Sequence, residues 1–261
     1  LLVLRWMGAV TGLATLVAAG FWTASAAGRA PELAVSRIIV EGNERLAEGE
    51  ILDALGLHPG SNILSLDLET LKQQMLLSTW VKDVELTRVL PATLTLKVVE
   101  RRPLGIAVME QLYLIDGDGV LLDEMGPGYR ELTLPLVRGL VDEQGQVVLR
   151  RRQVAGRVLS ALASDRRLEE AVSEIDLSAG EDSIRISLRR PPLTFVVEEV
   201  DFSKRLAELV PLSEEIRNIF PSVDAVDLRF RGRVYLRLGP PETIEDGLPE
   251  PPEAPVATEG R

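Results

Sequence analysis

The stretch LIDGDGVLLDE, residues 114–124, places two aspartates and two glycines in four consecutive positions. Its reading decides whether the second half of the chain is built around an ion or around a sheet. A helix–loop–helix calcium site needs oxygen ligands at alternate positions, a glycine at the sixth and a glutamate at the twelfth. Counted from Asp116, the third position is Asp118, but the fifth is Val120, the sixth Leu121 and the twelfth Pro127. Two ligands do not hold calcium. Asp and Gly tolerate the positive φ of tight hairpin turns, and LYLI and VLL on either side carry strand signals. Residues 116–119 therefore read as a hairpin turn between strands at 111–115 and 120–123.

Upstream of the hairpin, a compact unit is legible at 35–102. VSRIIVEGN reads as a strand with Ile38 and Val40 on one face and Arg37 and Ile39 on the other. Gly42-Asn43 signals a turn. LAEGEILDALG predicts a short helix with Ile51, Leu52 and Leu55 on one face and Gly56 as its stop. A second helix follows, with Leu64, Leu68, Leu71 and Met75 at helical spacing and Ser65 or Asp67 as its cap. VKDVELTRV and TLTLKVVE then read as two strands joined around Leu90-Pro91-Ala92. In the second, Leu94, Leu96 and Val98 alternate with Thr93, Thr95 and Lys97. The order is β-α-α-β-β, and a small sheet with both helices on one face buries every apolar stripe.

Beyond the charged junction ERRP at 100–103 the chain is β-rich to about 238. Further strands are expected at 105–109, 173–177, 183–188, 194–197, 225–230 and 233–238. One helix is expected at 151–162, with Val154, Val158, Leu159 and Leu162 buried, and another at 202–219, kinked or interrupted at Pro211. The fold class is thus α+β: a β-α-α-β-β unit, then at 103–238 a mixed β-rich domain with two helices and an exposed C-terminal edge strand. The tail, 239–261, holds six prolines and no apolar period, and reads as disordered. It carries −5 of the net charge of −11, so the acidity says little about partners. No internal repeat is visible.

At the other end, residues 6–28 carry no charge and Trp6 and Trp22 flank the run. About 20 residues span a bilayer core, and indole rings favour its interfaces. A single transmembrane helix is expected. A cleaved signal peptide, with Ala24-Ser25-Ala26 as its cleavage site, is the competing reading.

Chemistry is poorly provided for. There is no cysteine, which excludes disulfides and thiolate-ligated metals. His58 is the only histidine and sits in a Pro-Gly loop. The acid pairs in LEEA (168–171) and VEEVD (197–201) read as solvated faces, and Arg150-Arg151-Arg152 as a solvated helix start. No dinucleotide, phosphate-loop or zinc-protease motif occurs, and no basic face dominates. No catalytic residue, metal, cofactor, small-molecule substrate or nucleic-acid partner is expected.

In their order and spacing these features resemble the FtsQ/DivIB family of bacterial cell-division proteins, whose first extracytoplasmic unit is a POTRA domain. The carrying residues are the turn after strand one, Gly60, Trp80-Val81, Pro91 and the Glu-Arg-x-Pro exit. LIDGDGVLL, LPLVRG (134–139), EIDLS (174–178) and VDLRFRGRVYLRL (226–238) carry it through the second domain. Phe230 departs from the tyrosine the family often has there. The resemblance implies a single-pass protein of the inner membrane with its bulk in the periplasm, concentrated at the septum. It implies a non-enzymatic scaffold of the divisome with FtsB- and FtsL-like partners. A membrane-tethered or secreted POTRA-type chaperone or assembly factor for envelope proteins is the alternative.

A mechanism follows from the last strand. An unpaired edge offers free N–H and C=O groups to an added strand, and the proline-rich tail cannot cover it. Arg229, Arg231, Arg233 and Arg237 are expected to place positive charge along it. Partner contacts are expected at Arg229, Phe230, Gly232, Val234, Tyr235 and Leu236, with Phe230 and Tyr235 as apolar anchors. The POTRA-like unit offers further edges at 35–40 or 81–89.

Overall fold

The structure, a computed structural model, describes Thr15, Ala18 and residues 31–56, 60–180, 182–230 and 232–239. The expected anchor at 6–28 (Thr15 and Ala18 apart), His58, Arg231 and the tail beyond Gly239 lie outside the described residues. Among the described residues no helix is long and apolar enough to cross a membrane.

The first unit is built as its apolar stripes require. β1 (Arg37–Glu41), α1 (Glu48–Leu55), α2 (Leu68–Met75), β2 (Val81–Val89) and β3 (Thr93–Glu100) form a sheet of order β1-β3-β2. β1 runs parallel to β3, and β2 antiparallel to it. Leu94, Leu96 and Val98 of the central strand are buried under Ile51, Leu55, Leu71 and Met75. Gly56 closes α1 in the left-handed conformation at φ 58°, the usual glycine stop of a helix. The start of α2 corrects the sequence reading. The Asp67 carboxylate accepts hydrogen bonds from the amides of Glu69 and Thr70, so the helix begins at Leu68. Leu64 falls in the preceding turn and is half exposed, while Ile63 is buried in its place. β1 begins two residues later than the edge expected at 35–40, with Val35 buried ahead of it.

The second unit contains β4 (Pro103–Val108), β5 (Leu112–Asp116), β6 (Leu121–Glu124), β7 (Leu136–Arg138), α3 (Leu149–Ala163), α4 (Arg166–Ala171), β8 (Val172–Asp176), β9 (Ser183–Leu188), β10 (Thr194–Glu198), α5 (Phe202–Ile219), β11 (Val223–Asp227) and β12 (Tyr235–Leu238). Its strands join one nine-stranded sheet of order β12-β11-β10-β9-β8-β7-β4-β5-β6. Three helices, not the expected two, cover one face. Val154, Val158, Leu159 and Leu162 of α3 pack there with Leu206, Leu209 and Ile216 of α5 against Val137, Ile175, Ile186 and Phe195 of the sheet. β7 escapes pattern reading because three residues cannot display a period, and α4 because only Leu168 of its six residues is buried. α5 runs on through Pro211. Leu209 and Ile216, buried on either side of the proline, seat both halves on the same core. The arginines at the start of α3 are not merely solvated. Arg150 bridges Asp182 (2.7 Å) and Glu199 (3.1 Å), and Arg151 donates to the carbonyls of Gly139 and Val141, 3.1 Å each.

The 116–119 hairpin is where the two units and α3 meet. Asp116 is 3% exposed, and its Oδ1 accepts from the amides of Asp118 (3.0 Å) and Val120 (2.7 Å). Its Oδ2 takes the Arg101 guanidinium at 2.6 Å, which also reaches Asp118 at 2.8 Å. Lys82 of strand β2 adds a second cation, 2.9 Å from Asp118. Burial works against the charge of Arg101, but Asp116 and Asp118 outweigh it and hold its pKa above the ordinary arginine value. The Lys82 hydrogen bond leads the causes that hold Asp118 below the ordinary carboxylate value. Asp116–Gly119 is therefore a turn, as its flanks imply, and its carboxylates face protein cations.

The turn lies flush on α3. Gly119 adopts φ 77°, and a Cβ on it would sit 2.3 Å from the Arg152 carbonyl oxygen. A Cβ on Gly156 would sit 2.5 Å from the Gly119 nitrogen and 2.7 Å from the Asp118 carbonyl carbon. Alanine in a helix interior is normally favoured over glycine by about 1 kcal/mol. Here the backbone contact reverses the sign, and Gly156→Ala is expected to destabilise the fold by about 1–3 kcal/mol. Urea unfolding checks this, and a midpoint raised by the alanine contradicts it.

Candidate partner interface

The C-terminal end of the sheet is built from the β11–β12 ribbon. β11 stops at Asp227, three residues short of the strand expected to reach Phe230, because the Asp227 side chain turns the backbone. Its Oδ1 accepts from the Arg229 amide at 3.0 Å. The same carboxylate holds the Arg229 guanidinium (Nη2 to Oδ2 2.6 Å, Nε to Oδ1 3.0 Å), and that guanidinium also reaches the Ser183 hydroxyl at 3.2 Å. The hydrogen bond from Arg229 is the main reason the Asp227 carboxyl is held below its ordinary value. Phe230 follows on the connection, and Gly232 supplies its left-handed turn at φ 72°, a conformation glycine adopts without steric cost. The Arg233 amide donates to the Phe230 carbonyl at 3.3 Å.

β12 then pairs antiparallel with β11, Leu236 opposite Val226 and Tyr235 opposite Asp227. It is the terminal strand of the sheet and has no second neighbour among the described residues. Its apolar content is out of proportion to its burial. Val234 is 55% exposed, Tyr235 49%, Leu236 36% and Leu238 66%. Phe230, also 49% exposed, stands edge-on to Tyr235 with ring centroids 5.0 Å apart at 74°. Aromatic pairs prefer such an arrangement.

On the helix-free face two cross-strand rows lead to this ribbon. Glu174, Ser187, Thr194, Ala225 and Arg237 stand in register, as do Asp176, Arg185, Val196, Asp227 and Tyr235. Small side chains in the middle of the rows leave a groove of about 530 Å³ that ends at β12.

The six expected contact residues are thus brought together, but on two kinds of backbone. Val234, Tyr235 and Leu236 lie on or at the edge strand; Arg229, Phe230 and Gly232 lie on the loop that leads to it. The expected positive field is reduced at two of its four arginines: Arg229 is paired with Asp227, and Arg237 with Asp224 at 3.1 Å. Arg233 makes no ion pair among the described residues. Sequence reading missed Leu238 and the Asp227 clamp. The Asp-x-Arg spacing was the available signal for the clamp. Among the described residues no group of three or more His, Cys, Asp or Glu side chains is placed to share an ion.

The geometry defines the class as a two-unit α+β protein: a small β-α-α-β-β unit followed by a nine-stranded sheet whose last strand is singly paired among the described residues. Two family models match in succession. The model described as POTRA domain, FtsQ-type, covers residues 33–101, and the one described as Cell division protein FtsQ/DivIB, C-terminal, covers residues 107–229. The chain belongs to the FtsQ/DivIB family of cell-division proteins. Relatives named Cell division protein FtsQ include one from Geobacter sp. (strain M21), 26% identical over 212 residues, 78% of this chain and 76% of that protein. One from Koribacter versatilis (strain Ellin345) is 27% identical over 207 residues, 76% of this chain and 58% of that protein. A third, from Myxococcus fulvus (strain ATCC BAA-855 / HW-1), is 32% identical over 148 residues, 55% of this chain and 50% of that protein. The C-terminal family match ends at Arg229, so Phe230 to Leu236 lie beyond it.

The Asp227 clamp makes the loop acid-sensitive. Its folded pKa is depressed, so its contribution is complete above the unfolded aspartate value of about 3.9 and is lost as pH falls through the lower folded value. Amide exchange at Arg229, corrected for the intrinsic rate, is expected to be slow at neutral pH and to accelerate below about pH 4. Equal protection at pH 6 and pH 2.5 contradicts the clamp.

Proposed function

We propose that this chain is a non-enzymatic, membrane-anchored divisome scaffold that recruits its partners by accepting one of their segments as a strand on β12. The observation that carries the reading is the terminal, singly paired β12 with its exposed apolar side chains. An added strand satisfies the free main-chain groups of the edge, and pockets beside alternate residues select the sequence that binds. Phe230 and Tyr235 form the aromatic anchor, because large rings that become desolvated on binding dominate interface energetics. The groove on the helix-free face lets a bulky partner residue at the edge bury itself beside Ala225 and Thr194.

Family membership supports a role in cell division, and the resemblance of the whole pattern suggests an FtsB–FtsL-type pair as the partner. It also suggests a single inner-membrane anchor at 6–28, with the folded units in the periplasm and gathered at the septum. The two POTRA edge strands, β1 and β2, are secondary surfaces for localisation.

Phe230→Ala and Tyr235→Ala are each expected to weaken capture of the FtsB–FtsL pair about tenfold or more. Both residues are half exposed, so thermal unfolding is expected to stay within about 2 °C of the parent. Capture at parental strength by both variants contradicts the assignment.

A further inference from the structure

A nine-stranded open sheet has two ends, and they are treated oppositely. β12 presents Tyr-Leu-Arg-Leu to solvent. β6, at the other end, reads Leu-Leu-Asp-Glu, with Leu121 half-buried and Leu122 only 7% exposed. What covers it comes from the POTRA unit. The Thr79 hydroxyl donates to the outward carbonyl of Leu122 at 2.9 Å. Beside it, Trp80 packs on a small cluster of Ile106, Leu114 and Leu122 on the sheet face the helices leave free. Tyr129 stacks with Trp80 at 6.3 Å between ring centroids. The Arg45 guanidinium lies 4.3 Å from the Trp80 centroid and 4.6 Å from that of Tyr129, within the range of cation–π attraction. Trp80 is fixed from behind, since its carbonyl accepts from the Arg101 amide at 2.8 Å. Arg101 is the residue clasped by Asp116 and Asp118.

Each contact has the character of a permanent cover. A hydroxyl occupies a free ladder acceptor, an indole seals the apolar floor, and a partly buried ion-pair network sets the angle. The sheet would otherwise have a second edge able to template strand addition, a hazard that folds remove by covering or charging it. Asp123 and Glu124 charge what Thr79 and Trp80 do not cover.

We propose that the Thr79-Trp80 corner of the POTRA unit is a fixed cover for the β6 edge. It docks the two units as one body and leaves β12 as the only end of the nine-stranded sheet open to strand addition. The POTRA unit thereby makes partner addition directional. The cover itself rests on the junction alone, and the directionality rests on the strand addition proposed for β12.

Hydrogen exchange read by mass spectrometry on the full chain in detergent tests it. In Trp80→Ala, peptides spanning 120–126 are expected to exchange about tenfold faster or more. Peptides from β3 and from β9–β10 are expected to keep parental rates. Thr79→Val keeps side-chain volume and removes only the hydroxyl, so it decides the matter if the alanine variant loosens the whole molecule. Selective acceleration at 120–126 in the valine variant supports the cover. Parental rates there in the valine variant overturn it, as do parental rates at 120–126 in the alanine variant.

Discussion

One buried carboxylate ties the second unit to the first. Asp116 closes the hairpin turn with one oxygen and takes the Arg101 guanidinium with the other. A charge buried this deeply must be paired, and breaking such a pair by removing one partner commonly costs about 3–5 kcal/mol. Arg101 leaves the POTRA unit at its exit strand, so the first unit can end only where Asp116 stands. The turn also sits on bare backbone at Gly156, so α3 takes its place on the sheet from the same point. One residue thereby joins the β5–β6 turn, which lies against α3, to the exit of the first unit.

From that anchor the sheet extends in one direction. Strand after strand is added from β4 through β7, β8, β9, β10 and β11, with helices covering one face, until β12 is reached and nothing follows it among the described residues. Among the described residues no strand pairs with the outer side of β12. The connection into β12 is shaped by the Asp227–Arg229 clamp, which orients Phe230 against Tyr235 while drawing away the charge that would otherwise stand beside them. The result is a strand edge specified by shape and apolar surface. The strand addition proposed here needs no more than this, because such binding draws its affinity from main chain and its selectivity from a few side-chain sites.

Much of this was legible in the sequence, and the illegible parts have physical reasons. β3 was plain because Leu94, Leu96 and Val98 alternate over a long strand. α3 was plain because its buried positions repeat at helical spacing. The hairpin at 116–119 was plain because Asp-Gly-Asp-Gly can hardly do anything else between two apolar runs. Leu64 misled because it continues a helical spacing that the Asp67 cap terminates; local hydrogen bonding overrode periodicity. β7 carries too few residues to show a pattern, although it lies inside the sheet between β4 and β8. The contact residues were found as a stretch but not as a geometry. In VDLRFRG only the Asp-x-Arg spacing hints that Arg229 folds back on Asp227, so a row of arginines looked like a free field. The cover on β6 was invisible because it joins residues 43 apart in the chain, through one hydroxyl bond and one indole.

The absence of cysteine in the chain makes the central claim directly measurable. Single cysteines placed in turn at Val234, Tyr235, Leu236, Arg237 and Leu238, and at Leu121 to Glu124, can be cross-linked to cysteines along an FtsB–FtsL-type partner in dividing cells. The predicted result is cross-links along β12 in an alternating pattern that shifts in step with the partner's register, and none along β6. Cross-links spread evenly over both sheet ends, or absent from β12 while the partner remains bound, would contradict it.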